Sequence, residues 1–292
     1  MILLTHNDLD AAGCELVIRK KTKPEKVFYE DYCTLEETVR EIISYSKKHR
    51  IKELVIADLS FAENQRLLQN LVSHFDRVIH FDHHSYPAGF GVKPKFLYIP
   101  VIDPSRCACR IAYDSLGLTD GYLKELTDTI DVFDRWQFDD PMFDEAFNLN
   151  RYFWECGYQE FLSRFSERYP KTYFDESETL KQKALTQLQE HKEKGLVLKD
   201  RKVTIHFSED CFFDSLVESL NNEQKGFICV LKYALRIRLS QTFSKEQAES
   251  LRQWITGKVT GHPYAFTYIF KGTDRERFDE VKRVSDLING YC

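Results

Sequence analysis

Four short clusters of acids and histidines could do chemistry together. His6, Asp8 and Asp10 follow an apolar run in THNDLD. Asp58 comes directly after VIA, and Asp82-His83-His84 directly after VIHF. Asp131 and Asp134 lie three apart, ahead of Arg135-Trp136. Read singly, each cluster has an ordinary alternative: a helix N-cap for the first, a turn residue for Asp58, a chance histidine pair, and a solvated helix end for Asp131 and Asp134. Read together, they form a set of imidazole and carboxylate donors without cysteine, which favours Mn²⁺, Mg²⁺ or Fe²⁺ over structural zinc. A carboxylate shared by two ions about 3.5–4 Å apart is the two-metal arrangement, which activates water for in-line attack at phosphorus and neutralises the phosphoryl oxygens.

The elements that must position these groups alternate. Ile2–Leu4, Val27–Tyr29, Glu53–Ala57, Arg77–Phe81 and Phe96–Ile99 read as strands. Leu35–Lys48, Glu63–Phe75, Ala108–Ser115 and Tyr122–Phe133 have helical spacing. This predicts an α/β domain with a mostly parallel sheet and helices on both faces. Three strands end in the acid and histidine clusters, and ligands of open α/β sheets gather at the carboxyl ends of strands. Farther on, Phe161–Tyr169 reads as a helix and Ser177–Lys194 as a charged linking helix. A smaller α+β lobe follows, with strands at Lys202–Phe207, Gly226–Tyr233, Leu235–Ser240 and Tyr264–Lys271, and helices at Ser244–Trp254 and Thr273–Asn289. Ser244 with Gln247 predicts a capping box. The expected organisation is residues 1–170, a helical linker over 171–198, and a second domain over 199–292.

THNDLDAAGC, VIAD, FDHH and VFDRW, in this order, resemble the four motifs of the DHH phosphoesterase superfamily. HNDLD with its following GC, and the FD-x-W element, look most like the bacterial oligoribonuclease (nanoRNase) branch. Gly261-His262-Pro263-Tyr264-Ala265-Phe266 resembles a divergent form of the DHHA1 substrate-binding motif, with one glycine left before the histidine. The resemblance implies that His6 and Asp8 hold one metal, that Asp10, His83 and Asp134 hold the other, and that Asp58 bridges them. It implies that Asp82 orients a histidine, that His84 faces the scissile phosphate, and that Asp134 serves rather than Asp131. It assigns substrate binding to His262 and Gly261, and more weakly to Arg238 and Ser240. Arg106 and Arg110 are either phosphate contacts or surface arginines. Tyr264 and Phe266 are the first aromatics to test as base-stacking platforms.

The implied protein is a Mn²⁺-dependent (or Mg²⁺-dependent) two-metal phosphodiesterase that degrades short single-stranded RNA to nucleoside 5′-monophosphates. Alternatives are a phosphatase of 3′-phosphoadenosine 5′-phosphate, a hydrolase of linear or cyclic dinucleotides, and an inactive nucleotide-binding module. A homodimer is compatible with this reading. A single-strand DNA exonuclease and a DHH pyrophosphatase fit less well.

Composition bounds the rest. The 292 residues carry 41 Lys+Arg and 46 Asp+Glu, a formal net charge of −5. The charge is uneven: residues 1–198 hold 26 basic against 33 acidic groups, and residues 199–292 hold 15 against 13. Two divalent ions would add about four positive charges. The acidic balance therefore argues against long duplexes held on a basic surface, not against a short oligonucleotide. No apolar run reaches the roughly 18 residues of a membrane span, and the N-terminus lacks the pattern of a secretory signal. The eight cysteines contain no CxxC pair. The expectation is a cytoplasmic protein with reduced, buried thiols.

Overall fold

The computed structural model describes residues 1–30, 34–137, 139–170, 186, 189–194, 197–200, 202–207, 226–231, 234–240, 242–255, 258–262, 264–269 and 273–290. The chain divides into two compact units, Met1–Ser177 and Glu178–Cys292.

The first unit is a five-stranded parallel sheet, β1 (Ile2–Thr5), β2 (Lys26–Tyr29), β3 (Glu53–Ala57), β4 (Arg77–Asp82) and β5 (Leu97–Ile102), in the order β2-β1-β3-β4-β5. Its helices are α1 (Leu9–Lys21), α2 (Leu35–His49), α3 (Gln65–His74), α4 (Ala108–Ser115), α5 (Gly121–Asp134), α6 (Phe143–Cys156) and α7 (Tyr158–Phe165). Central β1 is covered on both faces, so Ile2, Leu3 and Leu4 are all fully buried, as the unbroken apolar run requires. Helix α2 instead buries one stripe, Leu35, Val39, Ile42 and Ser46, at the spacing of an amphipathic helix. This stripe joins Ile2, Leu4, Leu54, Ile56, Leu68 and Phe75 in one core cluster. The strand order reverses between β1 and β3, which defines the crevice where such sheets place ligands.

Helix α1 packs closely on α4 and α5 through Gly13. A Cβ there would meet Ile130 Cδ1 at 2.8 Å, Cys109 Cβ at 2.9 Å and Cys109 Sγ at 3.0 Å. Alanine would otherwise gain about 1 kcal/mol of helix propensity, but overpacking costs about 1–3 kcal/mol. The contact with a Cβ, which moves only with its backbone, decides the sign. Gly13→Ala is expected to lower the melting temperature by a few degrees in a thermal scan; an unchanged or raised midpoint would show that α4 yields freely.

The second unit holds a six-stranded sheet of β6 (Val197–Asp200), β7 (Val203–His206), β8 (Gly226–Val230), β9 (Ala234–Leu239), β10 (Lys258–His262) and β11 (Ala265–Ile269), with α8 (Lys245–Trp254) and α9 (Asp274–Gly290). The order is β10-β11-β9-β8-β7-β6. All its pairings are antiparallel except β7 with β8. Ser244 and Gln247 form the expected capping box.

The structure departs from the sequence reading at several points. Helix α6 and strands β6 and β10 went unread, and β6 begins inside the stretch assigned to the linker. The linking helix Ser177–Lys194 falls mostly outside the described residues. Cys14, Cys107, Cys109 and Cys156 are free thiols, but Cys229 is disulfide-bonded. The all-reduced expectation fails there, because pairing follows spatial proximity that spacing along the chain does not encode. Tyr264 and Phe266 are 7% and 1% exposed, and the Tyr264 hydroxyl donates to Phe243 O at 3.0 Å. Both belong to the second unit's core, not to a stacking surface. Among the described residues, no helix is long and apolar enough to cross a membrane.

Candidate metal centre

The clusters converge at the carboxyl edge of the first sheet. Asp8 is the N-cap of α1 and accepts from Ala11 N at 3.0 Å, so the cap reading is correct as far as it goes. Its other oxygen lies 2.8 Å from His6 Nδ1. Asp58 leaves the end of β3 at φ +51°, a left-handed conformation uncommon for a side-chain-bearing residue. Its N–H donates to Phe81 O at 2.9 Å, which ties the turn to β4. His83, just past β4, places Nε2 3.3 Å from Asp58 Oδ1 and Nδ1 3.5 Å from Asp134 Oδ2. Asp134 is the last residue of α5.

Two groups of donors result. His6, Asp8 and Asp58 form one, and Asp10, His83 and Asp134 the other; within each group the ligand atoms lie within 4.8 Å of one another. Asp58 also groups with His83 and His84. Asp58 Oδ2 and Asp134 Oδ2 are buried without a hydrogen-bond partner. Buried polar atoms are normally satisfied; here Asp134 Oδ2 has only an ion-pair contact, to His83 Nδ1 at 3.5 Å, and with Asp58 Oδ2 it offers an oxygen that a cation among the four acids would satisfy. Nitrogen and oxygen donors of this kind fit divalent Mn, Mg or Fe. A further group, Asp10 with Cys107 and Cys109, fits less well. Burial raises both thiols far above their usual range, whereas the ligand form is the thiolate.

The electrostatics agree. Burial, and then the charges of Asp8, Asp10 and Asp134, drive the Asp58 carboxyl well above the usual carboxylate range. Burial pushes Asp134 up to about 7, with His83 opposing and Asp10 and Asp8 adding. Asp8 is held low despite burial, by the His6 charge and hydrogen bond and the bond from Ala11. His83 is raised, because Asp134, Asp10, Asp82 and Asp8 outweigh its burial. Asp58 and Asp134 are thus disfavoured as anions by burial and by their acidic neighbours, an opposition that a cation held among them would relieve.

Asp10 does a second job. Its oxygens accept from Ala108 N and Cys109 N at 2.7 Å each, and Asp131 accepts from Cys107 N at 2.6 Å. The first turn of α4, which has no side-chain cap of its own, is thus capped by two carboxylates from other helices, the favourable sign for a helix N-terminus. Asp131 is therefore a cap and Asp134 a member of the donor group.

Asp82 is buried and held ionised. His84 outweighs the cost of its burial, with help from His80 and Tyr86. Asp82 Oδ1 takes His84 Nδ1 at 2.7 Å and the His83 N–H at 2.9 Å, and Oδ2 takes the Tyr86 hydroxyl at 2.5 Å. Tyr86 and the buried His80, bonded to Leu59 O and the Tyr98 hydroxyl at 3.0 and 3.1 Å, were not foreseen. They carry no motif and act through tertiary contact. Arg110, its side chain 17% exposed, pairs with Asp114 and Asp128, and Arg106 pairs with Asp114. In the second unit, His262, Ala265 and Arg238 share one row of the β10-β11-β9 register. Gly261 faces Phe266 in the next row, and Ser240 is buried with Oγ 2.6 Å from Thr242 Oγ1.

No family model and no curated protein sequence matches the chain. Solved structures do. RecJ from Thermus thermophilus, in complex with Mn²⁺, aligns with a TM-score of 0.61 and 12% identity over 100% of this chain and 52% of that one. PggH, a pGpG-specific phosphodiesterase from Vibrio cholerae, aligns at 0.53 and 13% over 99% of both chains. An exopolyphosphatase-related protein from Bacteroides fragilis aligns at 0.51 and 12% over 99% of this chain and 92% of that one. These neighbours are DHH-type phosphoesterases, and the chain has their fold: a parallel α/β domain followed by a smaller second sheet domain.

Proposed function

We propose that this protein is a metal-dependent phosphoesterase of the DHH superfamily that hydrolyses phosphodiester bonds of short RNA oligonucleotides, releasing nucleoside 5′-monophosphates. The observation that carries this reading is the pair of donor groups meeting at buried, partly orphaned Asp58. His6, Asp8 and Asp58 would hold one divalent ion, and Asp10, His83 and Asp134 the other, with Asp58 common to both. When bound, such ions polarise phosphoryl oxygens and make water a nucleophile near neutral pH. Mn²⁺ is the cation we assign, with Mg²⁺ the alternative.

The chain's own residues supply the rest. Ionised Asp82 fixes the Nδ1 side of His84, which leaves Nε2 to face the substrate phosphate and hold or give a proton there. His84 is 38% exposed, open enough to meet a substrate. His84→Ala is expected to lower kcat about a hundredfold with a small change in KM. A large rise in KM at constant kcat would make His84 a binding group only. His262, Gly261, Arg238 and Ser240 belong to the proposal as substrate-binding residues of the second unit.

A second reading, a phosphodiesterase of linear dinucleotides, is favoured by the full-length fold likeness to the pGpG-specific PggH. One experiment separates the readings. Purified protein with Mn²⁺ or Mg²⁺ is offered labelled RNAs of two to seven nucleotides, pGpG, cyclic dinucleotides and 3′-phosphoadenosine 5′-phosphate. Cleavage across the oligomer series supports the first reading, and cleavage of dinucleotides alone supports the second. No turnover of any substrate would reject the enzyme reading in favour of a binding module.

A further inference from the structure

A cavity of about 320 Å³ opens beside the donor groups within the first unit, lined by Asn7, Tyr29, Phe153, Trp154, Tyr158 and Gln159. Asn7 stands between His6 and Asp8 in the β1–α1 loop, so one lining residue of the cavity is the immediate chain neighbour of two members of the first donor group. None of the six carries charge. Trp154 is 56% and Tyr29 38% exposed, and both belong to the lining of this one concavity; exposed apolar surface gathered in a concave site, not scattered singly, is what marks a binding place.

The rings are also held in place. The Tyr29 hydroxyl donates to Glu15 Oε2 at 3.0 Å and accepts from Gln159 Nε2 at 3.2 Å. The Tyr29 ring sits edge-on to Tyr158, centroids 4.6 Å apart. Phe153 contacts Trp154 and Tyr158 at 5.1 and 5.7 Å. The Tyr158 hydroxyl is itself buried, so it adds nothing polar to the open wall. A preordered aromatic wall binds a flat, uncharged ring with little loss of side-chain freedom, and amide side chains such as Asn7 suit the polar edge of a base. The acidic edge next door draws phosphate only through cations; this cavity needs none.

We infer that the cavity binds a nucleobase of the nucleotide whose phosphate lies at the donor groups, with Trp154 and Tyr29 as its stacking surfaces. The inference rests on the phosphoesterase reading for its ligand class and names the substrate part that reading leaves open. Stacking of one base on one ring is worth roughly tenfold in affinity.

The test compares wild type, Trp154→Ala and Trp154→Phe. Equilibrium dialysis with and without Mn²⁺ uses guanosine and adenosine 5′-monophosphates, with ribose 5-phosphate as the baseless probe. Trp154→Ala is expected to weaken both nucleotides about tenfold, to leave ribose 5-phosphate unchanged, and to be largely rescued by Trp154→Phe. In turnover, KM for a dinucleotide should rise about tenfold at constant kcat, whereas a dinucleotide made abasic at both positions should show no difference between wild type and variant. Equal losses with and without the base, or nucleotide binding indifferent to Trp154, would overturn the inference. Turnover with Trp154-independent binding rejects the cavity alone. Trp154-dependent nucleotide binding without any turnover rejects the enzyme reading alone.

Discussion

Asp58→Asn is expected to abolish metal-dependent turnover, by at least about a thousandfold, while making the metal-free protein more stable. The two effects share one cause. Asp58 is buried among Asp8, Asp10 and Asp134, and burial followed by those charges raises its carboxyl far above the usual range. A common ligand to two ions contributes to both, and metal stabilisation of a phosphoryl transition state is worth several kcal/mol. In chelator the folded state opposes ionisation of that carboxyl, a cost that an amide of the same shape does not carry. Asparagine is the clean replacement, because it tolerates the left-handed backbone that Asp58 adopts at φ +51°; alanine would add backbone strain. The pH dependence follows. Groups whose folded pKa is raised, such as Asp58 and Asp134 (about 7 for the latter), favour the folded state below the unfolded value near 3.8. That contribution is lost as pH rises through the folded pKa. Chelated wild type should therefore lose stability as pH rises from about 4 to about 7, between the unfolded value and the folded Asp134 value, and Asp58→Asn should lose less. Added Mn²⁺ should raise the wild-type midpoint, by about 2.7 kcal/mol in stability at a hundredfold excess over Kd, and raise the variant far less. Thermal scans with chelator and with Mn²⁺, alongside turnover, read all three effects. A variant less stable than wild type in chelator would mean that Asp58 is a structural group.

The sequence makes such a site legible where chemistry and local periodicity coincide. Each of the apolar runs before Asp58 and Asp82 is a strand, β3 as Glu53–Ala57 and β4 as Arg77–Asp82. A parallel strand covered on both faces announces itself as an unbroken apolar run. Helix α4 runs over Ala108–Ser115, as its spacing predicts. What stays hidden is tertiary. Strand β10, KVTGH, has a glycine and no apolar alternation, and it is a strand because it pairs with β11 from Lys258↔Ile269 to His262↔Ala265. Helix α6 buries Asn150 and Arg151 among its aromatics, which blurs the amphipathic period that would mark it. Asp131 and Asp134 could not be told apart by spacing alone. The difference is that Asp131 meets the start of α4 from 24 residues away. Tyr264 and Phe266 show the opposite failure: proximity to His262 in sequence suggests a stacking role, but Phe266 on β11 and Tyr264 in the turn before it, tied to Phe243 O, are both core residues.

Asp10→Asn should behave in the reverse sense to Asp58→Asn, although both acids come from the same set of motifs. Asp10 accepts two buried backbone N–H bonds, from Ala108 and Cys109 at 2.7 Å each. Hydrogen bonds to a charged acceptor contribute about 1.5–3 kcal/mol, and a buried donor left unpaired costs about 1–3 kcal/mol. The amide keeps one acceptor oxygen and turns an NH₂ group toward the other N–H, donor against donor. Burial and the Asp8 charge do raise the Asp10 carboxyl, so the neutral side chain gains something. That gain is opposed by the loss of a bond, a new unpaired donor, and a weakened cap on α4, whose first turn has no other acceptor for these two groups among the described bonds. The expected result is a loss of about 2–3 kcal/mol, a large share of the 5–15 kcal/mol that holds a domain. It should be present in chelator as well as with Mn²⁺. Urea unfolding of both variants in chelator is the decisive comparison: Asp58→Asn should move the midpoint up and Asp10→Asn down. If both moved up, the α4 cap would be dispensable and Asp10 a metal ligand alone. If both moved down, the repulsion assigned to the acid cluster would not be the dominant force at this edge of the sheet.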